Sequence, residues 1–325
     1  MSSSSPRSNS SNTTSSFKLY HYDPDRGAAG AFVALFILCT IVHLYKLVRG
    51  RTWFFIPFII GLAFEAAGYV GRNISAGETP NWTTGPYIVQ SLTLLLGPTL
   101  LAASIYMALG RLIRLLNADR HLLIRTTWLT KVFVLGDVLS FLTQSGGGGM
   151  LAKAKTQADM SIGENIIIGG LFIQIIFFGF FIVATYISHR RIVLSPTPTS
   201  RSIGVPWPRF LHVMYAASVL IMVRSIFRVA EYAGGYYSPL QLSEAYIYIF
   251  DATLMFAVAV LFGVWHPGSM MTAKEIGAIP FSDGGSNLYG NSPVMGLKTI
   301  QNLASQTITL HFLLPILSYY RTTGI

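Results

Sequence analysis

Seven ionisable side chains stand inside, or at the ends of, long apolar runs: Glu65, Arg72, Asp137, Arg224, Arg228, Glu231 and Asp251. Facing lipid at mid-helix, each would cost about 2.5–3.5 kcal/mol, and together on the order of 20 kcal/mol, more than a whole domain's net stability. They must therefore face one another or a wet cavity. Their spacing allows it. Glu65 and Arg72 are seven residues apart, and so are Asp137 and Gln144, Arg224 and Glu231, and Glu244 and Asp251. That interval puts each pair on one helical face, and the interval of four does the same for Arg224 and Arg228. Such a set does one of two things. It holds helices together as ion pairs, or it forms a polar pathway or head-group site.

The elements that must position these residues follow from composition. Of 325 residues, 52% are hydrophobic and 11% charged, against roughly 25% charged in a soluble domain, and mean hydropathy is +0.52. A helix needs about 20 apolar residues to cross about 30 Å of hydrocarbon. Seven runs qualify: Gly27–Leu47, Thr52–Val70, Pro86–Gly110, Trp128–Ser145, Ile162–Ser188, Phe210–Ala230 and Ala245–Trp265. The expected fold is all-α, a polytopic membrane protein with a seven-transmembrane helix bundle. The fourth run is the least apolar, holding Asp137, Thr143 and Gln144, and is expected to stop at the helix-breaking run Gly146–Gly149. The third carries Gly97-Pro98 near its middle. Proline there removes a backbone hydrogen bond and bends the helix, which makes the pair a tolerated kink or a gating hinge.

Loop charge sets the orientation. With the N-terminus outside and the C-terminus cytosolic, the inside loops carry three, four and four basic residues, and the outside loops carry Arg72, Lys153 and Lys155. That bias obeys the positive-inside rule. The sequons at Asn12, Asn73 and Asn81 all fall outside in this orientation, as glycosylation requires. At about 1.5 Å per residue, Glu65, Arg224 and Asp251 then lie at similar height in the outer half. Asp137 lies nearer the midplane, and Arg72, Gln144, Arg228 and Glu231 lie toward the outer mouth. The expectation is one polar cluster of Glu65, Arg72, Asp137, Gln144, Gln174, Arg224, Arg228, Glu231, Glu244 and Asp251, with Arg224 paired to Glu65 or Asp251. Asp137, with no base at its depth, is the carboxyl expected to be protonated or water-exposed.

Three units result: a disordered Ser/Asn/Thr-rich extracellular tail over 1–26, the seven-helix domain over 27–266, and a cytosolic tail over 267–325. No cleavable signal peptide is visible, so the first helix is expected to act as its own insertion signal. Residues Thr307–Tyr320 are apolar again but interrupted by Pro315, and read as an interfacial segment or a gene-prediction artefact.

Several functions are excluded. The net charge of +10 sits in short loops between apolar runs, which marks membrane orientation and not a nucleic-acid surface. A single cysteine, Cys39, allows no intrachain disulfide. There is no phosphate-binding G-x-x-x-x-G-K-[ST] sequence, no lysine in the seventh run for a retinal Schiff base, and no zinc-binding His pattern. No metal, cofactor or enzymatic activity is expected.

Longer patterns join these residues. They are Glu65-x-x-Gly68-Tyr69-x-x-Arg72, Ala102-Ala103-x-x-Tyr106-Met107-x-x-Gly110-Arg111, Asp137-x-x-Ser140-x-x-x-Gln144-x-Gly146-Gly147-Gly148, Arg224-Ser225-x-Phe227-Arg228-x-x-Glu231-Tyr232-x-x-Gly235, Glu244-x-x-x-Tyr248-x-x-Asp251 and His266-Pro267-Gly268. Together they resemble the fungal lipid-translocating exporter family, the RTA-like proteins, over about residues 20–268. The resemblance implies an integral protein of the plasma membrane or an endomembrane. It implies partners that are membrane lipids and an amphipathic lipid or amine substrate such as a sphingoid long-chain base, with resistance to toxic amphiphiles. The alternative is a seven-helix sensor or regulator of lipid asymmetry acting through other transporters, with protein partners docking on the cytosolic tail.

Overall fold

The structure, a computed structural model, describes residues 20, 22–123, 126–153, 156–202, 206–234 and 239–268. The sequon at Asn12, the basic residues Arg125 and Lys155, and the apolar stretch Thr307–Tyr320 lie outside them.

Among the described residues the chain is helical, with seven long helices and no strand. Asp25 starts α1 (Arg26–Gly50): its carboxylate accepts the Gly27 N–H at 2.7 Å, satisfying a donor the first turn leaves open. A short 3₁₀ turn leads into α2 (Ile56–Gly77), followed by α3 (Thr84–Leu115) and α4 (Thr126–Lys153). A capping box opens α5 (Gln157–Leu194). There the Asp159 N–H donates to Thr156 Oγ1 at 3.1 Å, and the Thr156 N–H donates to the Asp159 carboxylate at 3.2 Å. The last long helices among the described residues are α6 (Trp207–Ala233) and α7 (Glu244–Val264), the latter carrying a π-helical turn at Tyr248–Ala252.

Six of these helices are long and apolar enough to cross a membrane; α4 is not among them. Its 28 residues suffice in length, but Asp137, Gln144 and the four glycines dilute its apolar content. The expected stop at Gly146–Gly149 is corrected: α4 continues through all four glycines. Its partner α5 explains this. Gly147 packs against α5 so closely that a Cβ there would lie 2.7 Å from the Gly163 carbonyl oxygen, and burial in that seam outweighs the low helix propensity of glycine.

The outer surface is apolar. Ile41, Leu44 and Val48 of α1, Leu135 and Leu142 of α4, and Ile176 and Val183 of α5 are all exposed, which water would penalise and lipid tails accept. Two ends are defined by contacts. At one, His266 meets Thr52, Arg111 lies over the Phe54 ring, and Thr197 donates to the Leu116 carbonyl. Exposed Trp53, Trp128 and Trp265 ring this end, the placement favoured at a membrane interface. At the other end, the segment before α1 folds over the bundle. Tyr20 is buried and donates to Gln90 Oε1 at 2.8 Å, and the Asp25 N–H donates to Glu244 at 2.7 Å. Tyr20 and residues 22–26, the end of the segment read as a tail, thus pack on the bundle, where aromatic burial and these bonds offset the ordering entropy.

Candidate functional site

Close helix approach builds the core. On α2, Gly61, Glu65, Gly68 and Gly71 share the face turned to α3. A Cβ at Gly61 would stand 2.8 Å from the Gly97 carbonyl oxygen, and one at Gly71 would stand 2.9 Å from the Pro86 carbonyl oxygen. Glu65 occupies the middle of this seam, with Gly97 opposite it. A Cβ on Gly97 would lie 2.7 Å from Glu65 Oε1, so Gly97 makes room for the carboxylate.

Pro98 does a related job. Its missing N–H leaves the carbonyl four residues back, on Leu94, without a helical donor. Arg224 supplies one: its guanidinium donates to Leu94 O at 2.5 Å and pairs with Asp251 at 2.5 Å. Both partners are fully buried. α3 nevertheless runs as one helix from Thr84 to Leu115. The pair considered as a kink or hinge thus has two local roles: Gly97 clears space and Pro98 frees an acceptor.

Hydrogen bonds and ion pairs partition the expected single cluster into sets. The central set is Arg224, Asp251 and the Leu94 carbonyl, so of the two candidate partners Arg224 takes Asp251. Glu65 is 0% exposed and close enough to feel the charges of Asp251, Arg224 and Arg228. Among the described residues, neither of its oxygens has a hydrogen-bond donor. The second set is at the mouth. Arg72 pairs with Glu244 at 2.8 Å, and donates to the Tyr22 hydroxyl at 2.6 Å and the Tyr248 hydroxyl at 3.2 Å. The rings of Tyr20, Tyr22 and Tyr248 flank its guanidinium. Burial pushes the Tyr20 and Tyr22 hydroxyls above the ordinary phenol range, which keeps both neutral. The third set is on α6, where Arg228 pairs with Glu231 at 2.8 Å, and Glu231 also feels the charges of Asp251, Arg224 and Arg72.

The fourth set belongs to α4 and α5 and is separate from the arginines. Ser140 Oγ donates to the Gly170 carbonyl at 2.6 Å, and the Gln144 amide donates to Ser140 Oγ at 2.5 Å and to Gln174 Oε1 at 3.3 Å. Asp137 lies beside Tyr106 of α3, and neither group has a well-formed hydrogen bond. The correction has a physical reason: each arginine has an acid partner on α6 or α7, and the Ser140 and Gln144 side chains of α4 bond to each other and to α5 instead. Sequence reasoning missed Gln90, the Leu94 carbonyl and the N-terminal tyrosines. Only the carbonyl had a signal, the i−4 partner of Pro98.

Asn73 lies inside α2, where its amide donates to the Arg26 carbonyl at 2.9 Å, so the nitrogen that glycosylation would use is engaged. Asn81 lies exposed in the α2–α3 loop. Among the described residues no group of three or more His, Cys, Asp or Glu side chains is placed to hold a metal ion.

A helical bundle with an apolar surface and a core of buried ion pairs defines an integral membrane protein. The chain belongs to the RTA1-like family: the family model described as "RTA1 like protein" matches residues 58–274. It is 36% identical over 292 residues to Protoporphyrin uptake protein 1 of Saccharomyces cerevisiae, covering 78% of this chain and 93% of that protein. It is 34% identical over 276 residues to Protein RTA1 of the same species, covering 77% and 85%. It is 26% identical over 280 residues to the Sphingoid long-chain base transporter RSB1 of Saccharomyces cerevisiae strain Lalvin EC1118, covering 76% and 72%. No solved structure matches.

Proposed function

We propose that this chain moves amphipathic lipids across a membrane, or sets their distribution between the leaflets, and so protects the cell from toxic amphiphiles. The substrate class is a molecule with an apolar body and a polar head, such as a sphingoid long-chain base. The names of two relatives support the general class and differ on the rest. One names uptake of protoporphyrin and the other transport of a sphingoid base, and both ligands join an apolar body to an ionisable head.

The observation that carries this reading is Glu65. A bundle held only by static ion pairs needs no spare acid. Here a fully buried carboxyl stands beside the closed Arg224–Asp251 pair with no donor of its own. That arrangement suits a group which accepts a proton or a cationic head, or exchanges partners as the core rearranges.

All seven long helices span the bilayer in this proposal. The N-terminus is outside and the C-terminus cytosolic, and the chain works without enzymatic chemistry at the plasma membrane. The described basic residues Arg49, Arg51, Arg111, Arg114, Arg190 and Arg191 gather at the end where α7 finishes, which supports that orientation. The test is retention of a fluorescent long-chain base in cells producing the chain. Wild type lowers cell-associated label, and Glu65→Gln at equal surface abundance loses the effect. Equal retention with and without the wild-type chain contradicts the proposal.

A further inference from the structure

The end of the bundle where α7 finishes is rich in arginine. Its three connections, residues 51–55, 116–125 and 195–206, hold one acid, Asp119, and every Lys or Arg position in them is arginine: Arg51, Arg120, Arg125 and Arg201. Membrane orientation alone does not select arginine, because lysine meets the positive-inside bias equally well. What arginine adds is a flat, rigid fork of N–H donors that matches a phosphate or carboxylate.

Three arginines at this end are preset for such a ligand. The Arg111 guanidinium lies over the Phe54 ring, 4.2 Å from its centroid, a stacking that holds its plane and leaves its N–H edges to a ligand. Arg114 stands three residues on, along the same face of α3, close enough for the two like charges to act on each other. Arg51 stands three residues before Phe54 and is held at φ 49°, the left-handed region that glycine adopts freely and an L side chain resists. Keeping an arginine there points to a use for its side chain. All three are exposed, and among the described residues none of their guanidiniums has a hydrogen bond or an ion pair. Other basic side chains nearby are engaged: Lys46 donates to the Gly263 carbonyl, Arg49 to the Tyr45 hydroxyl and Arg191 to the His121 carbonyl. Exposed Trp53, between Arg51 and Phe54 in the chain, marks the depth of the lipid head groups.

We propose that Arg51, Arg111 and Arg114 form a binding site for the head group of an anionic membrane lipid, one with a phosphomonoester such as phosphatidate, in the leaflet this end faces. A phosphomonoester brings about two negative charges and three acceptor oxygens. That suits neighbouring guanidiniums which no acid among the described residues pairs with. A zwitterionic head carries its own ammonium group, which the same arginines repel. The bound lipid ties the α1–α2 turn to the end of α3 and needs no change in the buried ion pairs. The assignment requires that the chain is embedded in a membrane, not that it moves amphiphiles.

The test titrates purified full-length protein with dioctanoyl phosphatidate, dioctanoyl phosphatidylcholine and inorganic phosphate, and counts bound molecules by native mass spectrometry. Wild type binds phosphatidate about tenfold more tightly than phosphatidylcholine. It also binds phosphatidate more tightly than inorganic phosphate, which has no chains to sit beside Trp53. Arg111→Lys keeps every charge, so orientation is preserved, and it loses about tenfold in phosphatidate affinity because the stacked fork is gone. Arg49→Lys, the same change at the same end, leaves affinity at the wild-type value. Melting temperature without lipid reports folding separately, and phosphatidate raises it in wild type and Arg49→Lys more than in Arg111→Lys. Equal affinity for the two lipids, wild-type affinity in Arg111→Lys, or an equal loss in both variants overturns the site and leaves these arginines to orientation alone. Inorganic phosphate binding as tightly as phosphatidate overturns the lipid assignment.

Discussion

The link between Pro98 and Arg224 predicts a measurable coupling across two helices. Arg224→Met removes the partner of buried Asp251, which costs about 3–5 kcal/mol for an uncompensated charge. It also removes the donor that satisfies Leu94 O, which adds about 1–3 kcal/mol for a buried acceptor left bare. Pro98→Ala returns a backbone N–H to that acceptor. In the Pro98→Ala background the second cost therefore disappears, and Arg224→Met is about 1–3 kcal/mol less damaging. Effects of Pro98→Ala on helix geometry are common to both arms of the cycle and cancel. The assay is reversible unfolding of the four proteins in mixed micelles, read by helix content. Arg224→Met costs that agree within about 0.5 kcal/mol in the two backgrounds refute the reasoning, because that is the scatter expected of independent sites.

Other substitutions test neighbouring contacts. Gly97→Ala drives a methyl against Glu65 Oε1 and destabilises by about 1–3 kcal/mol, and Glu65→Ala relieves most of that cost in the double variant; equal costs with and without Glu65 contradict the cradle. His266, bonded to Thr52 at the end of α7, is held by burial to about 3, well below the ordinary histidine value of 6.5. The unfolded chain then binds the extra proton first, so stability is full above about pH 6.5 and falls as pH drops toward 3, by up to about 1.4 kcal/mol per pH unit. His266→Gln flattens that acid limb in unfolding measured against pH, and an unchanged slope contradicts the assignment. Asn81→Gln abolishes a glycosidase-sensitive mobility shift in protein made in a secretory host, whereas Asn73→Gln leaves it; the reverse result contradicts the accessibility seen in the α2–α3 loop.

Much of this architecture is legible in the residues, and the failures have physical causes. The polar stripes of α2, α6 and α7 were readable because an ionisable group in hydrocarbon has few places to go. Period-seven spacing then put Glu244 and Asp251 on the face that meets Arg72 and Arg224. The division of the cluster was not readable, because depth along a helix says nothing about which neighbour is in reach. Glycine propensity alone misplaces the end of α4, because it ignores tertiary packing and Gly147 belongs to a seam with Gly163. The segment over the mouth is not legible in its sequence context: Tyr20 and Tyr22 follow a long polar stretch, and their docking places, Arg72, Gln90, Trp82 and Tyr87, lie far along the chain.

The central claim is that the bundle itself moves amphiphiles rather than acting through another transporter. Purified protein in lipid vesicles, with a fluorescent long-chain amino alcohol in one leaflet and a membrane-impermeant quencher outside, tests it directly. The account predicts transbilayer movement faster than in protein-free vesicles, reduced by Glu65→Gln. Movement no faster than in protein-free vesicles, from protein that retains its helix content and melting temperature, contradicts it.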